Sequence, residues 1–137
     1  MIFVDTGAWI ALSDKSDQYH RQAKAIYTRL KRRRARFVTT DYVIDETTTR
    51  LRYDSGHASA VKFLEVIRTA EQAGILRVVA ITPAVFQTAQ TLFRQYDTVV
   101  LSLTDCTSFA VCEQHQVSEA FAFDQHFPLR GITLCTK

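Results

Sequence analysis

The feature that most limits the fold of this chain is an alternation. Short apolar runs, "IFV" (2–4), "FVTT" (37–40), "ILRVVAI" (75–81), "EAFAFD" (119–124) and "ITLC" (132–135), alternate with longer stretches that carry apolar residues at helical spacing. Strands joined through helices pair in parallel, and a parallel sheet needs helices over both of its faces. The pattern therefore predicts an α/β domain, a three-layer α/β/α sandwich around a central parallel sheet. A length of 137 residues suits one domain over 1–137. In such sheets, function gathers at the carboxyl ends of the strands.

The helical stretches carry their own start and stop signals. "GAWIALSD" can turn into a short helix after the first strand. "DQYHRQAKAIYTRLKRR" sets Ala23, Ile26, Tyr27 and Leu30 on one side and ends in the basic run "KRRRAR". Thr40 or Asp41 can cap a helix through "YVIDETTTRLRY", which stops near Gly56. "HASAVKFLEVIRTAEQA" places Phe63, Val66, Ile67 and Ala70 on one side, with Gly74 at its C′ position. "TPAVFQTAQTLFRQY" opens with a Thr cap and Pro83 at the first helical position. "VVLSL" reads as an extended approach to a last helix, "TDCTSFAVCEQH", with Thr104 as its cap.

Composition narrows the functional classes. The net charge of +3 is compatible with a nucleic-acid substrate without demanding one. No apolar stretch reaches the roughly 20 residues that span a bilayer, so no membrane association is expected. The N-terminus has Asp5 where a signal peptide would have a cation. Cys106, Cys112 and Cys135 are odd in number and form no CxxC, which fits reduced, packed thiols in a cytoplasmic protein.

Four acids stand out by position. Asp5 ends the first apolar run, Glu46 lies early in the helix after the second, Asp105 opens the last helix, and Asp124 ends "AFAFD". Each has an ordinary explanation. Asp5 can cap the next turn. Glu46 can pair with Arg50 four residues on. Asp105 can complement a helix dipole, and Asp124 can serve a turn. Their coincidence at one edge of the inferred sheet favours a shared site. Carboxylates brought together raise one another's pKa values, and a hard divalent cation removes the conflict. Oxygen ligands favour Mg²⁺ or Mn²⁺, and such an ion can promote phosphodiester hydrolysis.

At these residues the chain resembles a known family. "IFVDTGAWIAL", "YVIDETTTRL", "LSLTDCTSFAV" and "AFAFDQHF" are similar, in order and over essentially the whole chain, to the PIN-domain ribonucleases, and most of all to VapC-type toxins. The resemblance implies a metal-dependent endoribonuclease that leaves a 5′-phosphate and a 3′-hydroxyl. It further implies a type II toxin held by a small cognate antitoxin, and a homodimer. The acidic cluster maps onto Asp5, Glu46, Asp105 and Asp124. Asp5, Asp105 and Asp124 would hold the Mg²⁺ or Mn²⁺, with Glu46 binding metal or positioning the attacking water. Thr6 matches the family's small hydroxyl residue beside the first Asp, in a supporting role. Gln125 and His126 stand where some members carry a further acid or Asn.

Residues around the cluster are open to two readings. "KRRRAR" suits phosphate contacts or a solvated helix end. Arg50 and Arg52 can meet the RNA substrate, an antitoxin or a surface partner. Trp9 and Tyr42 can stack on bases or pack. His126 can touch substrate or serve the turn, and Asp97 fits a turn. Two further classes remain as alternatives: a structure-specific DNA nuclease with the same carboxylates, and a non-catalytic module that binds RNA or protein. An aspartyl-nucleophile phosphatase would want an Asp at the position of Gly7, and a dinucleotide-binding domain would want GxGxxG.

Overall fold

A computed structural model describes residues 1–136. Twelve elements follow one another: β1 (Ile2–Val4), α1 (Thr6–Ser13), α2 (His20–Arg32), β2 (Phe37–Thr40), α3 (Asp41–Asp54), α4 (His57–Gln72), β3 (Leu76–Val79), α5 (Pro83–Gln95), α6 (Leu103–Gln114), β4 (Glu119–Phe121), a 3-10 turn (Phe127–Arg130) and β5 (Thr133–Leu134). All strands are parallel, in the order β3-β2-β1-β4-β5. The expected α/β/α architecture is observed. β1 is central, and its residues alternate between two cores. Phe3 joins the core under α5 and α6, while Ile2 and Val4 join the core under α1, α2 and α4.

Local chemistry sets most element ends. Thr40 caps α3 by accepting from Val43 N–H, and Thr82 caps α5 from Val85 N–H with Pro83 behind it. Gly56 and Gly74 hold φ of 100° and 71°, the left-handed values that end α3 and α4. Three sequence expectations need correction. The fourth strand stops at Phe121, so Asp124 stands three residues beyond it, in a turn where its Oδ1 accepts from His126 N–H at 2.9 Å. α6 is capped by Ser102, not Thr104. α2 begins at His20, because Asp17 Oδ1 takes the Tyr19 N–H at 2.8 Å and forms a turn first.

The basic run lies away from the carboxyl edge of the sheet. It joins the end of α2 to the start of β2, at the opposite edge. Arg29 donates to Cys135 O, Arg36 donates to Gly74 O, and Arg33 pairs with Glu119 at 3.3 Å. Arg29 precedes the run, so these contacts give two of its five cations, Arg33 and Arg36, a structural explanation. A groove of about 730 Å³ opens between α1, α2 and α4 above the sheet. Val4 and Phe121 floor it, Trp9 and Phe63 wall it, and the exposed Lys15, Lys24, Lys31 and Lys62 stand around it.

One buried polar residue ties these layers together. Thr39 Oγ1 donates to Val4 O at 2.9 Å and accepts from Trp9 Nε1 at 3.3 Å. Trp9 also meets Phe63 edge-on at 5.7 Å, so packing explains it without a base to stack on. Thr39→Val keeps the shape and strands both partners. Urea denaturation should show a loss of about 1–3 kcal/mol.

Candidate active site

The site forms where the chain leaves β1, at the carboxyl edge of the sheet. Asp5 N–H donates to Phe121 O at 3.1 Å, which ties the exit of β1 to the exit of β4. Asp5 occupies the N-cap position of α1, yet its side chain makes no capping hydrogen bond. The cap explanation therefore does not account for its carboxylate. That carboxylate is buried, with the whole residue only 6% exposed. Next to it, Thr6 Oγ1 is buried and has no hydrogen-bond partner.

The other acids come from three different elements. Asp105 is the N3 residue of α6. Its Oδ2 accepts from Ser102 N–H at 3.0 Å, while Ser102 Oγ accepts from Asp105 N–H at 2.9 Å. This reciprocal capping box fixes where the carboxylate stands. Asp124 is held by the His126 amide, as described above. His126 Nδ1 also lies 2.6 Å from Asp124 Oδ1, without the alignment of a hydrogen bond. Ligand atoms of Asp105, Asp124 and His126 all fall within 4.8 Å of one another. Glu46 is half-buried on α3. No Lys or Arg pairs with Asp5, Glu46, Asp105 or Asp124 among the described residues, and the surface pair between Glu46 and Arg50 does not form.

Burial and like charge shape the electrostatics. Burial, then the Asp105 charge, push the Asp5 carboxyl up to about 7 from its ordinary 3.8. The Thr6 backbone N–H opposes this, and Asp124 and Glu46 add to it. Asp105 is also held above its ordinary range, by burial first, with the Ser102 amide pulling the other way. The charges of all four acids thus reach a common region.

That donor set suits a hard divalent ion. It offers carboxylate oxygens, one imidazole nitrogen and an unpartnered buried hydroxyl, with no basic side chain to compete. Asp5, expected as a ligand, stands outside the tightest group, and His126 stands inside it. The sequence signal for His126 was its place two residues after Asp124, where one short turn presents both side chains. Tyr42 is half-buried, with its ring 6.0 Å from that of Phe86. Asp97 is exposed in the loop after α5, as a turn residue would be.

The raised Asp5 pKa gives stability a defined pH dependence. A protonated Asp5 suits the fold, so its contribution is full below about pH 4 and is lost as pH rises through about 7. Asp5→Asn removes that loss. With a chelator present, the variant should melt above wild type at pH 8, by up to a few kcal/mol in stability. The difference should shrink towards zero near pH 4. Thermal melts across this range measure it, and a constant difference would contradict the burial of the charge.

Comparison with known proteins agrees with this architecture. A PIN-domain family model matches residues 2–131. The 23S rRNA-specific endonuclease VapC20 of Mycobacterium tuberculosis, in strains CDC 1551 / Oshkosh and ATCC 25618 / H37Rv, is 31% identical over 132 residues. That match covers 96% of this chain and 95% of the relative. The crystal structure of M. tuberculosis VapC20, described as a sarcin–ricin loop cleaving toxin, superimposes with a TM-score of 0.87 at 29% identity. It covers 97% of both chains. With a family model over nearly the whole chain and a relative 31% identical over 96% of it, this chain belongs to the PIN-domain family.

Proposed function

We propose that the chain is a Mg²⁺- or Mn²⁺-dependent endoribonuclease, the toxin of a type II toxin–antitoxin pair, acting in the cytoplasm. The observation that carries this reading is the group of unpaired, partly to fully buried carboxylates at the exits of β1 and β4. Burying such charges near one another costs too much for a structural role unless a cation or a proton joins them. The endonuclease activity of the VapC20 relatives supports the same reading.

Each residue then has a task. A bound divalent ion supplies Lewis acidity to the phosphate and lowers the pKa of water. Asp105, Asp124 and Asp5 would hold it, with His126 either joining them or orienting Asp124. The capping box keeps Asp105 from swinging away when a phosphate approaches. Glu46, on α3, would position the attacking water and accept its proton. Thr6 Oγ1 would orient a ligand or that water. Arg50, exposed one turn along α3 from Glu46, is available to a phosphate. Hydrolysis breaks the P–O3′ bond and leaves a 5′-phosphate and a 3′-hydroxyl.

The apolar groove with four lysines around it supports the partner reading. It suits an amphipathic, acidic segment of an antitoxin, whose apolar side would cover Trp9, Leu12, Tyr27 and Val66. Phe93 and Val100, 47% and 92% exposed, offer apolar surface for a homodimer.

A cleavage assay tests the activity. The substrates are total RNA, a sarcin–ricin loop oligonucleotide chosen because the relative cuts that loop, and DNA of matched sequence. Wild type with Mg²⁺ or Mn²⁺ should cut RNA, and chelator should abolish cutting. Asp5→Asn and Asp105→Asn should each lose roughly a hundredfold or more. Unchanged activity in the variants or with chelator would overturn the metal-nuclease reading. Cutting of DNA alone would identify a DNA nuclease, and RNA binding without cutting a non-catalytic module.

Metal binding has its own readout. Titration calorimetry with Mn²⁺ should show affinity for wild type that falls in His126→Ala by about tenfold or more. Equal affinity would remove His126 from the site.

A further inference from the structure

An aromatic stack adjoins Asp124 along the chain. The rings of Tyr19 and Phe123 lie parallel, 5° apart in plane and 4.5 Å between centroids. Phe123 directly precedes Asp124 in the chain. Behind it stands Phe121, almost fully buried, with its ring 6.2 Å away and edge-on. The three rings thus run from the core to the surface, and Tyr19 at the outer end is 39% exposed. Phe123 packs towards the α1–α2 core, whereas the Asp124 carboxylate meets Asp105 and His126. Stack and acids therefore flank the exit of β4 on two sides.

Helix capping does not explain why Tyr19 is a tyrosine. It occupies the N-cap position of α2, where Ser, Thr, Asp or Asn is favoured, and its side chain caps nothing. Its backbone is nonetheless fixed: the N–H bonds Asp17 Oδ1, and the C=O accepts from Ala23 N–H at 2.8 Å. The ring is thus carried on a fixed backbone, one face is covered by Phe123, and part of its surface is open to solvent. Such a rigid aromatic surface suits a flat π-system, and RNA supplies one at every nucleotide.

We propose that Tyr19, backed by Phe123, stacks on a nucleobase next to the scissile phosphate and so sets which unpaired nucleotide is drawn to the cutting site. The inference rests on the ribonuclease reading above. It makes Tyr19 a substrate-binding residue that holds the RNA strand, while the carboxylates act on its phosphate. Selection of this kind favours bases already unstacked in a loop, because a paired base would first have to leave its helix.

The test compares wild type with Tyr19→Ala, Tyr19→Leu and Tyr19→Trp. Tyr19→Leu keeps apolar cover over Phe123 without a π-face, and thermal melts identify any variant that fails to fold. On the RNA that wild type cuts, Tyr19→Leu should raise KM about fivefold or more, with kcat less changed, and Tyr19→Trp should stay near wild type. In parallel, that RNA carries 2-aminopurine on either side of the cut and is bound in Ca²⁺ under conditions without turnover. Wild type and Tyr19→Trp should quench the probe, and Tyr19→Leu should not. Equal KM and equal quenching in wild type and a folded Tyr19→Leu would overturn the stacking role while leaving the nuclease reading intact. A wild type that neither binds nor cuts RNA would overturn the nuclease reading, and this inference with it.

Discussion

The constraint on which the site depends is the repulsion among carboxylates that the fold brings together at one sheet edge. Asp5 leaves the central strand already buried, Asp105 is locked by its own helix cap, and Asp124 is held by a turn. Little in this arrangement lets the charges move apart. A proton on Asp5 or a bound cation would relieve the conflict. A cation that relieves repulsion is held by the same charges that would make it useful against a phosphate.

The rest of the molecule keeps that strained corner in place. Two cores clamp β1 from both sides, with Phe3, Phe109 and Phe127 meeting on one face and the α1, α2 and α4 residues on the other. Thr39 links β2 to Val4 and Trp9 just before the chain reaches Asp5. Apolar burial supplies the rigidity, and the polar edge uses it. Arg33 and Arg36 of the basic run are engaged at the other edge of the sheet, with Glu119 and Gly74 O, away from the acids.

Much of this was legible in the sequence. The alternation of short apolar runs and amphipathic stretches gave the parallel sandwich, because period and connection length are local properties. Asp5, Asp105 and Asp124 were visible as acids at strand exits and a helix start. The precise ends were less visible. Ser102 and Thr104 are both good caps, and only the reciprocal bond with Asp105 decides between them. Asp124 looked like the last residue of a strand, but a strand end depends on which neighbour it pairs with, and β4 has already turned away at Phe121. The Tyr19–Phe123 stack was illegible for the same reason. Over a hundred positions separate the two rings, and nothing in the spacing announces that they meet.

Brevity in β1 carries a further consequence. With three residues, this strand has room for only one arrangement against its neighbours, Ile2 opposite Glu119 and Phe37, Phe3 opposite Ala120 and Val38. A slip of one position would exchange its two faces, push Phe3 into the space shaped for Ile2 and Val4, and displace Asp5 by about 3.3 Å. The acids would then no longer meet at one edge. Assembly of the acidic cluster is in this way a check on the folding of the whole sheet: a misthreaded molecule also lacks the cluster.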